Sequence, residues 1–231
     1  MWDGKKKAVT FSYDDGIVYD KKLVEIFNRY GLKCTFNLNS GIMTGANSWT
    51  DNNVEIKRMN FQGLPKLYKG HEVAVHTLTH PNLLDYDDET VVNEILLDKM
   101  NLENIFQYKI EGMAYPYGTY DERIKGLVKE CGIKYCRTVE SEGHAALPCN
   151  LLTLKPTMHH SDERIFDVIE SFVELSPDEM DEPRMLYIWG HSYEFAVHDN
   201  WDRIEKICQM LSDRSDIFYG TNSEVLRPFY E

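Results

Sequence analysis

Long apolar runs are absent from this chain. No stretch of its 231 residues approaches the ~18 consecutive apolar residues that a membrane-spanning helix needs. The polar residues 1–7 lead straight into a predicted strand, and no secretion signal is visible, although a chain trimmed of one would look identical. We therefore expect a cytoplasmic protein with no membrane partner.

Positive charge is also scarce. The chain has 25 Lys and Arg residues against 38 Asp and Glu residues, a net charge of −13, and it has no basic stripe. A phosphate backbone would be repelled, so we expect no nucleic-acid partner. Proline and glycine number only 8 and 14, and 42% of the chain is hydrophobic, which excludes a disordered or low-complexity chain. Because no segment resembles a linker, we expect one domain over residues 1–231.

Cysteine is sparse and shows no pairing pattern. Five are present, an odd number, and none forms the CxxC pair of a metal or redox site. Two of them fall on apolar faces of predicted helices, where cysteine packs as a small hydrophobic residue. We expect all five to be reduced: Cys34, Cys131, Cys136, Cys149 and Cys208.

Short β-rich segments alternate with amphipathic helical segments along the whole chain. Strands are predicted at 8–12, 33–38, 72–76, 112–115, 134–138, 151–154, 184–190 and 217–221. Apolar residues spaced i, i+3, i+4, i+7 predict helices at 23–30, 165–172 and 204–211. Helices are also predicted at 61–68, 88–106 and 122–131. These units predict an α/β fold in which one parallel sheet closes, or nearly closes, into a barrel. The longest predicted loops, 40–60 and 140–150, follow strand ends.

Two adjacent carboxylates follow the first predicted strand. In a barrel, catalytic groups gather at the carboxyl ends of the strands, and neighbouring side chains of an extended segment diverge. Asp14 and Asp15 can therefore divide roles, one facing a metal ion and the other the reacting water. An isolated Asp-Asp-Gly is more often a turn that caps the following helix.

Two histidines at the end of the third predicted strand favour the catalytic interpretation. His76 and His80 are spaced i, i+4, which suits a divalent metal ion, although solvated loop histidines would show the same spacing. Joined to a strand-end carboxylate, they form a two-His, one-carboxylate set that leaves positions open for water and substrate. Such a set is typical of a catalytic metal site.

Further histidines follow two other predicted strands. His191 comes directly after the most apolar strand of the chain, at 184–190. His159 and His160 follow the sixth predicted strand. They either reach the same cleft, as substrate contacts or extra metal ligands, or lie solvated in a loop.

The order of these motifs resembles that of the polysaccharide deacetylase family, the NodB-type carbohydrate esterases, over residues 7–219. Residues 10–16 (TFSYDDG) match the first motif with two inserted residues, and residues 76–80 (HTLTH) match the second without departure. Residues 114–118 (AYPYG) match the third motif in part, and the apolar run 186–191 matches the fifth. The resemblance implies an irregular, TIM-like (β/α)7-8 barrel of NodB type.

The resemblance also implies a role for each candidate residue. One divalent ion is bound by the carboxylate of Asp15 and the imidazoles of His76 and His80. The ion is expected to be Zn²⁺, with Co²⁺, Ni²⁺ or Mn²⁺ as alternatives. Asp14 is the general base and His191 the general acid. The metal ion and the backbone N–H of Tyr117 stabilise the oxyanion.

Two departures from the family pattern bear on activity. Ala114 stands where the third motif has an arginine that orients and charges the base. Arg137, at the end of the next predicted strand, is placed to supply that guanidinium, or it pairs with Glu140 or Glu142 on the surface. The fourth motif, whose acid supports the catalytic histidine, has no clear counterpart. Three carboxylates are candidates for that support: Glu194, Glu140 and Asp199.

Aromatic residues at the strand ends suit stacking on a neutral sugar ring, or else they fill the mouth of the barrel. The substrate-side candidates are Tyr115, Tyr117, Trp189 and Arg137, with Tyr13 and Tyr193 nearby. We predict a metal-dependent hydrolase that removes N-acetyl groups from an N-acetylated sugar or oligosaccharide. Two alternatives stay open, a hydrolase of a non-sugar amide such as a cyclic ureide, and a non-catalytic carbohydrate-binding relative.

Overall fold

The computed structural model describes residues 1–230 as a parallel sheet surrounded by helices. Its strands are β1 (Lys7–Asp14), β2 (Cys34–Leu38), β3 (Ser48–Asp51), β4 (Val54–Lys57), β5 (Glu72–Val75), β6 (Gly112–Ala114), β7 (Tyr135–Arg137), β8 (Met158–His159), β9 (Arg184–Gly190) and β10 (Ile217–Tyr219). Its helices are α1 (Asp20–Arg29), α2 (Leu64–Leu67), α3 (Asp88–Phe106), α4 (Glu122–Glu130), α5 (Ile165–Glu174), α6 (Ser192–Val197), α7 (Trp201–Leu211) and α8 (Asn222–Leu226).

The main sheet is curled into an irregular barrel. Its strand order is β7-β6-β5-β2-β1-β9-β8, every pairing is parallel, and β10 pairs with the first residues of β1. The two edges are joined by one segment, because Leu154 bridges to Arg137 of β7 while Met158 and His159 pair with β9. The predicted α/β fold, with one parallel sheet nearly closed into a barrel, is therefore confirmed.

Amphipathic helices cover the outside of the barrel. In α1, Leu23, Ile26 and Phe27 are buried, which is the apolar face that the spacing predicted. The ring of Phe27 packs 4.7 Å from the ring of Phe11 on β1, centroid to centroid. Burying an aromatic side chain of this size contributes about 2–3 kcal/mol to stability, so such contacts fix each helix on its strand.

Three sequence predictions differ from the structure. Residues 151–154 form a 3₁₀ helix, Leu151–Thr153, because Asn150 accepts a hydrogen bond from the backbone N–H of Leu152, and the strand comes later as β8. The predicted loop 40–60 contains the antiparallel hairpin β3–β4. The predicted helix 61–68 is shortened to α2, whose N-cap, Gly63, has a left-handed backbone conformation.

None of the helices in residues 1–230 is both long and apolar enough to cross a lipid bilayer.

Candidate active site

The side chains singled out from the sequence lie together at the end of the barrel where the strands have their carboxyl termini. Asp14 ends β1 and Asp15 follows it, His76 follows β5, and His191 follows β9. The Nε2 atoms of His76 and His191 lie 4.0 and 3.9 Å from Oδ2 of Asp14. Nε2 of His80 lies 3.8 Å from Oδ1 of Asp15. The parallel sheet thus brings residues from three strand ends into one cluster.

Asp15, His76 and His80, here called the metal triad, have the geometry of a metal site. One ligating atom from each lies within 4.8 Å of the others. Nδ1 of His76 is 2.8 Å from the carbonyl oxygen of Ala114, and because that oxygen only accepts, Nδ1 donates the proton. The lone pair of Nε2 then faces the carboxylates, which is how a carbonyl partner orients a metal-binding histidine.

The charge states of the metal triad also suit a divalent ion. Burial lowers the pKa of His76 to about 4 and lowers the pKa of His80, so both imidazoles are neutral near pH 7. For Asp15, burial opposes the charge, but His191 and Arg58 outweigh it and lower the pKa of the carboxyl group. Two neutral nitrogens and one ionised carboxylate form the donor set of a catalytic zinc site. The residues present therefore fit the metal that the sequence implies.

The backbone around the metal triad is strained. Asp15, Thr77, His80 and Tyr117 have φ angles of 83°, 66°, 62° and 58°, in the left-handed region that non-glycine residues rarely occupy. Thr77 is β-branched, which makes its conformation especially costly, about 1–3 kcal/mol by the usual range for such residues. Strain of this kind persists where the surrounding structure fixes side chains in a functional geometry.

Asp14 is held from two sides. Nη2 of Arg137 donates to Oδ2 of Asp14, and Nδ2 of Asn37 donates to Oδ1 at 2.7 Å. Burial opposes the negative charge, but Arg137 and the histidines His76 and His191 outweigh it and lower the pKa of Asp14 to about 2. Asp14 is therefore ionised throughout the neutral range, with both oxygens oriented.

Arg137 is the residue that the sequence analysis offered in place of the missing arginine. It is fully buried, its guanidinium carbon lies 4.5 Å from the ring centroid of Trp189, and its Nε lies 3.3 Å from Oγ of Ser12. The alternative of a surface ion pair is wrong, because no part of the side chain reaches solvent and Glu140 pairs with Lys155 at 2.8 Å. The guanidinium lies inside the barrel, on Asp14.

Glu194 is the carboxylate that contacts His191. Its Oε1 lies 3.4 Å from Nδ1 of His191, and its Oε2 accepts from the backbone N–H of the same residue at 3.1 Å. Burial opposes protonation of the imidazole, but Glu194 outweighs it and raises the pKa of His191 to about 9. Of the other two candidates named from the sequence, Glu140 is exposed and pairs with Lys155, and Asp199 is also exposed.

His159 and His160 are not both solvated loop residues. Their Nε2 atoms lie 3.1 and 3.2 Å from Oε2 of Glu194. His160 is 2% exposed, and its ring is stacked between Tyr13 and Phe195 at centroid distances of 5.6 and 4.1 Å. His159 is about one-fifth exposed and faces the cleft. Only His159 is therefore open to a ligand from solution.

Several contacts to the site come from residues that the sequence did not single out. Arg58, just after β4, donates from Nη1 to the backbone oxygen of Asp15 at 2.6 Å and from Nη2 to its Oδ1 at 3.1 Å. Asp98 of α3 accepts from the backbone N–H of Ser40 at 2.7 Å and of His76 at 3.1 Å, and burial raises the pKa of Asp98 to about 8. These two residues fix the loops that carry the metal triad. A strand-end motif contains no signal for either.

The aromatic candidates differ in their access to a ligand. Tyr117 is 61% exposed, and its ring lies 4.7 Å from the ring of His80. Tyr115 is 1% exposed, and its hydroxyl donates to the carbonyl of Leu152 at 3.0 Å, so in this conformation it offers no surface to a ligand. Trp189 is 9% exposed and lies beneath Arg137. Tyr117 is the best placed of these three to meet a sugar.

Comparison with known sequences identifies the family. The family model described as "Polysaccharide deacetylase" matches residues 2–136. The matched region contains Asp14 and the metal triad, whereas Arg137 and His191 lie beyond it. A search of curated proteins found no match.

Comparison with solved structures finds the same barrel. A Streptococcus pyogenes deacetylase, PplD, in complex with acetate is 20% identical over 62% of this chain and 61% of that one, with a TM-score of 0.54. This chain thus spans about three-fifths of that protein. The chitin deacetylase of Colletotrichum lindemuthianum is 17% identical over 95% of this chain and 87% of its own, with a TM-score of 0.59.

A CE4 family pseudoenzyme from Bacillus anthracis is similar to the same degree, at 14% identity over 96% of this chain and 66% of its own, with a TM-score of 0.55. At these identities, the likeness establishes the fold alone. The family model, in contrast, covers more than half of the chain. By its matched sequence and its NodB-type barrel, this chain belongs to the polysaccharide deacetylase family.

Proposed function

We propose that this protein is a metal-dependent hydrolase that removes N-acetyl groups from an N-acetylated sugar or oligosaccharide. One observation carries the proposal. A buried carboxylate with a cationic partner, a histidine with a carboxylate partner, and the metal triad lie beside one another, joined by contacts of 3.8–4.0 Å. Amide hydrolysis needs these three parts: a base for water, an acid for the leaving amine and an electrophile for the carbonyl.

The metal triad is the proposed site of one divalent ion. When bound, such an ion supplies Lewis acidity, polarising the amide carbonyl and lowering the pKa of a water molecule. His76 and His80 would offer neutral nitrogens and Asp15 an ionised oxygen, as their pKa directions indicate. Zn²⁺ matches this mixture of nitrogen and oxygen ligands.

Proton transfer is proposed to involve the two remaining side chains. Asp14 accepts a proton from the attacking water as the new C–O bond forms at the acetamide carbon. The backbone N–H of Tyr117 donates to the developing oxyanion. His191 donates a proton to the nitrogen as the C–N bond breaks, and the products are acetate and a free amine.

The partners of these groups suit the roles. Arg137 and Asn37 orient both oxygens of Asp14, so its lone pairs have a fixed direction. Glu194 keeps His191 protonated near pH 7 by raising its pKa to about 9, and an acid catalyst must start the cycle with its proton. These two contacts supply what the departures in the third and fourth motifs had left open.

The test is acetate release. Tag-free protein is stripped with a chelator, reloaded with Zn²⁺ and incubated with chito-oligosaccharides, and Asp14→Asn protein with the same metal content is the matched control. Acetate from the wild type alone supports the proposal. If the wild type binds metal but releases no acetate from any N-acetylated sugar, deacetylation is refuted, and assays on cyclic ureides then separate a non-sugar amidase from a non-catalytic binding protein.

A further inference from the structure

A second group of ligating side chains lies beside the proposed active site. His159 at the end of β8, and His191 and Glu194 at the start of α6, here called the second cluster, each place one ligating atom within 4.8 Å of the others. Nε2 of His159 is 3.1 Å from Oε2 of Glu194, and Nδ1 of His191 is 3.4 Å from Oε1. All three side chains are about one-fifth exposed, so an ion can reach them from solution.

One atom of the second cluster lacks a hydrogen bond. Nδ1 of His191 is buried and, among residues 1–230, makes no hydrogen bond of good geometry, although Oε1 of Glu194 lies 3.4 Å away. A buried, unsatisfied nitrogen facing a carboxylate is unusual in a folded protein. An ion would bind this nitrogen by displacing the proton that the neighbouring carboxylate holds there.

The other two members of the second cluster supply the remaining ligand atoms. Nδ1 of His159 accepts from the backbone N–H of Ser161 at 3.2 Å, so the proton of the neutral ring lies on Nε2 and points to Oε2 of Glu194, 3.1 Å away. An ion that binds between these two atoms displaces that proton. Glu194 offers a carboxylate. Two imidazole nitrogens and a carboxylate oxygen repeat the donor set of the metal triad, and this set suits Zn²⁺ or its neighbours in the first transition series.

We propose that His159, His191 and Glu194 form a second divalent-metal site, of lower affinity than the metal triad. The affinity is lower because Glu194 must give up contacts to His159 and His160 before it can bind an ion. We take Nδ1 as the ligand atom of His191, because it is the ring nitrogen nearer to Glu194.

Occupancy of the second site has a consequence for catalysis, and this step rests on the proposed function. Once an ion holds Nδ1 of His191, the ring cannot carry protons on both nitrogens. A singly protonated imidazole gives up its remaining N–H proton far less readily than an imidazolium does. The second ion therefore inhibits deacetylation by disabling the general acid, while the metal triad stays loaded.

The binding test uses Zn²⁺ alone. Chelator-stripped, tag-free protein is dialysed against rising Zn²⁺ and its metal content is measured. The wild type should take up two ions per chain. His159→Gln, which keeps a polar side chain without a ring nitrogen, should take up one. The control His144→Gln changes an exposed histidine outside both sites and should take up two. One ion in the wild type, or two in His159→Gln, overturns the proposal.

Further measurements distinguish the two metal sites and control for misfolding of the variants. Asp15→Asn should lose the first ion and keep the second, which separates failure of the metal triad from failure of the second cluster. If His159→Gln does not fold by circular dichroism, Glu194→Gln replaces it and must also lose the second ion. In the acetate assay, excess Zn²⁺ should inhibit the wild type and His144→Gln but not His159→Gln. The ion count decides the second site even if no variant releases acetate.

Discussion

The interaction between Glu194 and His191 gives the sharpest prediction about catalysis. Glu194→Gln removes the negative charge but keeps an oxygen that can accept from the backbone N–H of His191, so the start of α6 should stay intact. The pKa of His191, about 9 with Glu194 present, should then fall toward its ordinary value of 6.5, because only Asp14 and Asp15 still oppose the effect of burial. A fall of the whole way to 6.5 corresponds to roughly 3 kcal/mol at ~1.36 kcal/mol per pH unit, which is the upper bound of the effect.

The expected readout is the alkaline limb of kcat/KM. With a pKa of about 9, His191 is almost fully protonated at pH 8, whereas with a pKa of 6.5 only about 3% would be. Glu194→Gln should therefore lose up to roughly 30-fold in kcat/KM at pH 8 and much less at pH 6. The assay is acetate release between pH 5 and 10 with one equivalent of Zn²⁺. A matched control is Glu224→Gln, which alters the same type of capping contact at α8, away from the site. An unmoved alkaline limb in Glu194→Gln refutes the reasoning.

Three further predictions concern the metal, the base and its cation. Asp15→Asn, His76→Ala and His80→Ala should each lose the tightly bound ion, as elemental analysis would show, and retention in all three contradicts the metal triad. Asp14→Asn should keep the ion yet lose about 10²–10⁴-fold in kcat, since an amide accepts no proton, and normal turnover would mean another base. Arg137→Ala should cut kcat and also destabilise the protein by about 3–5 kcal/mol, because it leaves a buried carboxylate unpaired. This loss of stability should be present above pH 4 and shrink as pH falls through the pKa of Asp14, about 2, and urea unfolding at pH 7 and pH 2 tests it.

Most of the fold could be predicted because buried apolar strands alternate with helices along the whole chain. The strand at 184–190 and the helix at 88–106 have the predicted bounds. The strand is a continuous apolar run that ends at Gly190, and the helix begins after Asp87, whose side chain accepts from the backbone N–H of Thr90. The prediction failed at residues 151–154, where an apolar run follows Asn150 and its side chain stabilises a helical turn instead. It also failed at the hairpin β3–β4, which lies outside the main sheet and has mostly exposed residues.

The residues of the candidate site could likewise be predicted only where they end or directly follow predicted strands. Asp14, Asp15, His76 and His191 directly end or follow strands, so the fold class alone predicts that they converge. Arg58, Asn37 and Asp98 were not predicted. Arg58 and Asn37 lie 43 and 23 residues from the aspartates they contact, and Asp98 lies 58 residues from Ser40. Contacts of this kind depend on how loops and helices pack, which periodicity does not encode.

Arg137 shows why a missing motif residue need not mean a missing function. Ala114 and Arg137 are register partners on the adjacent strands β6 and β7, so their side chains leave the sheet at the same level and on the same face. Asp14 requires a guanidinium at one place in space, and either strand can provide it. The small side chain of Ala114 leaves room for Arg137, and both are fully buried.

Adding Ala114→Arg to the intact chain should therefore overpack the barrel and destabilise it, whereas adding it to Arg137→Ala should restore part of kcat. If the double variant is no more active than Arg137→Ala, the two positions are not equivalent sources of the cation.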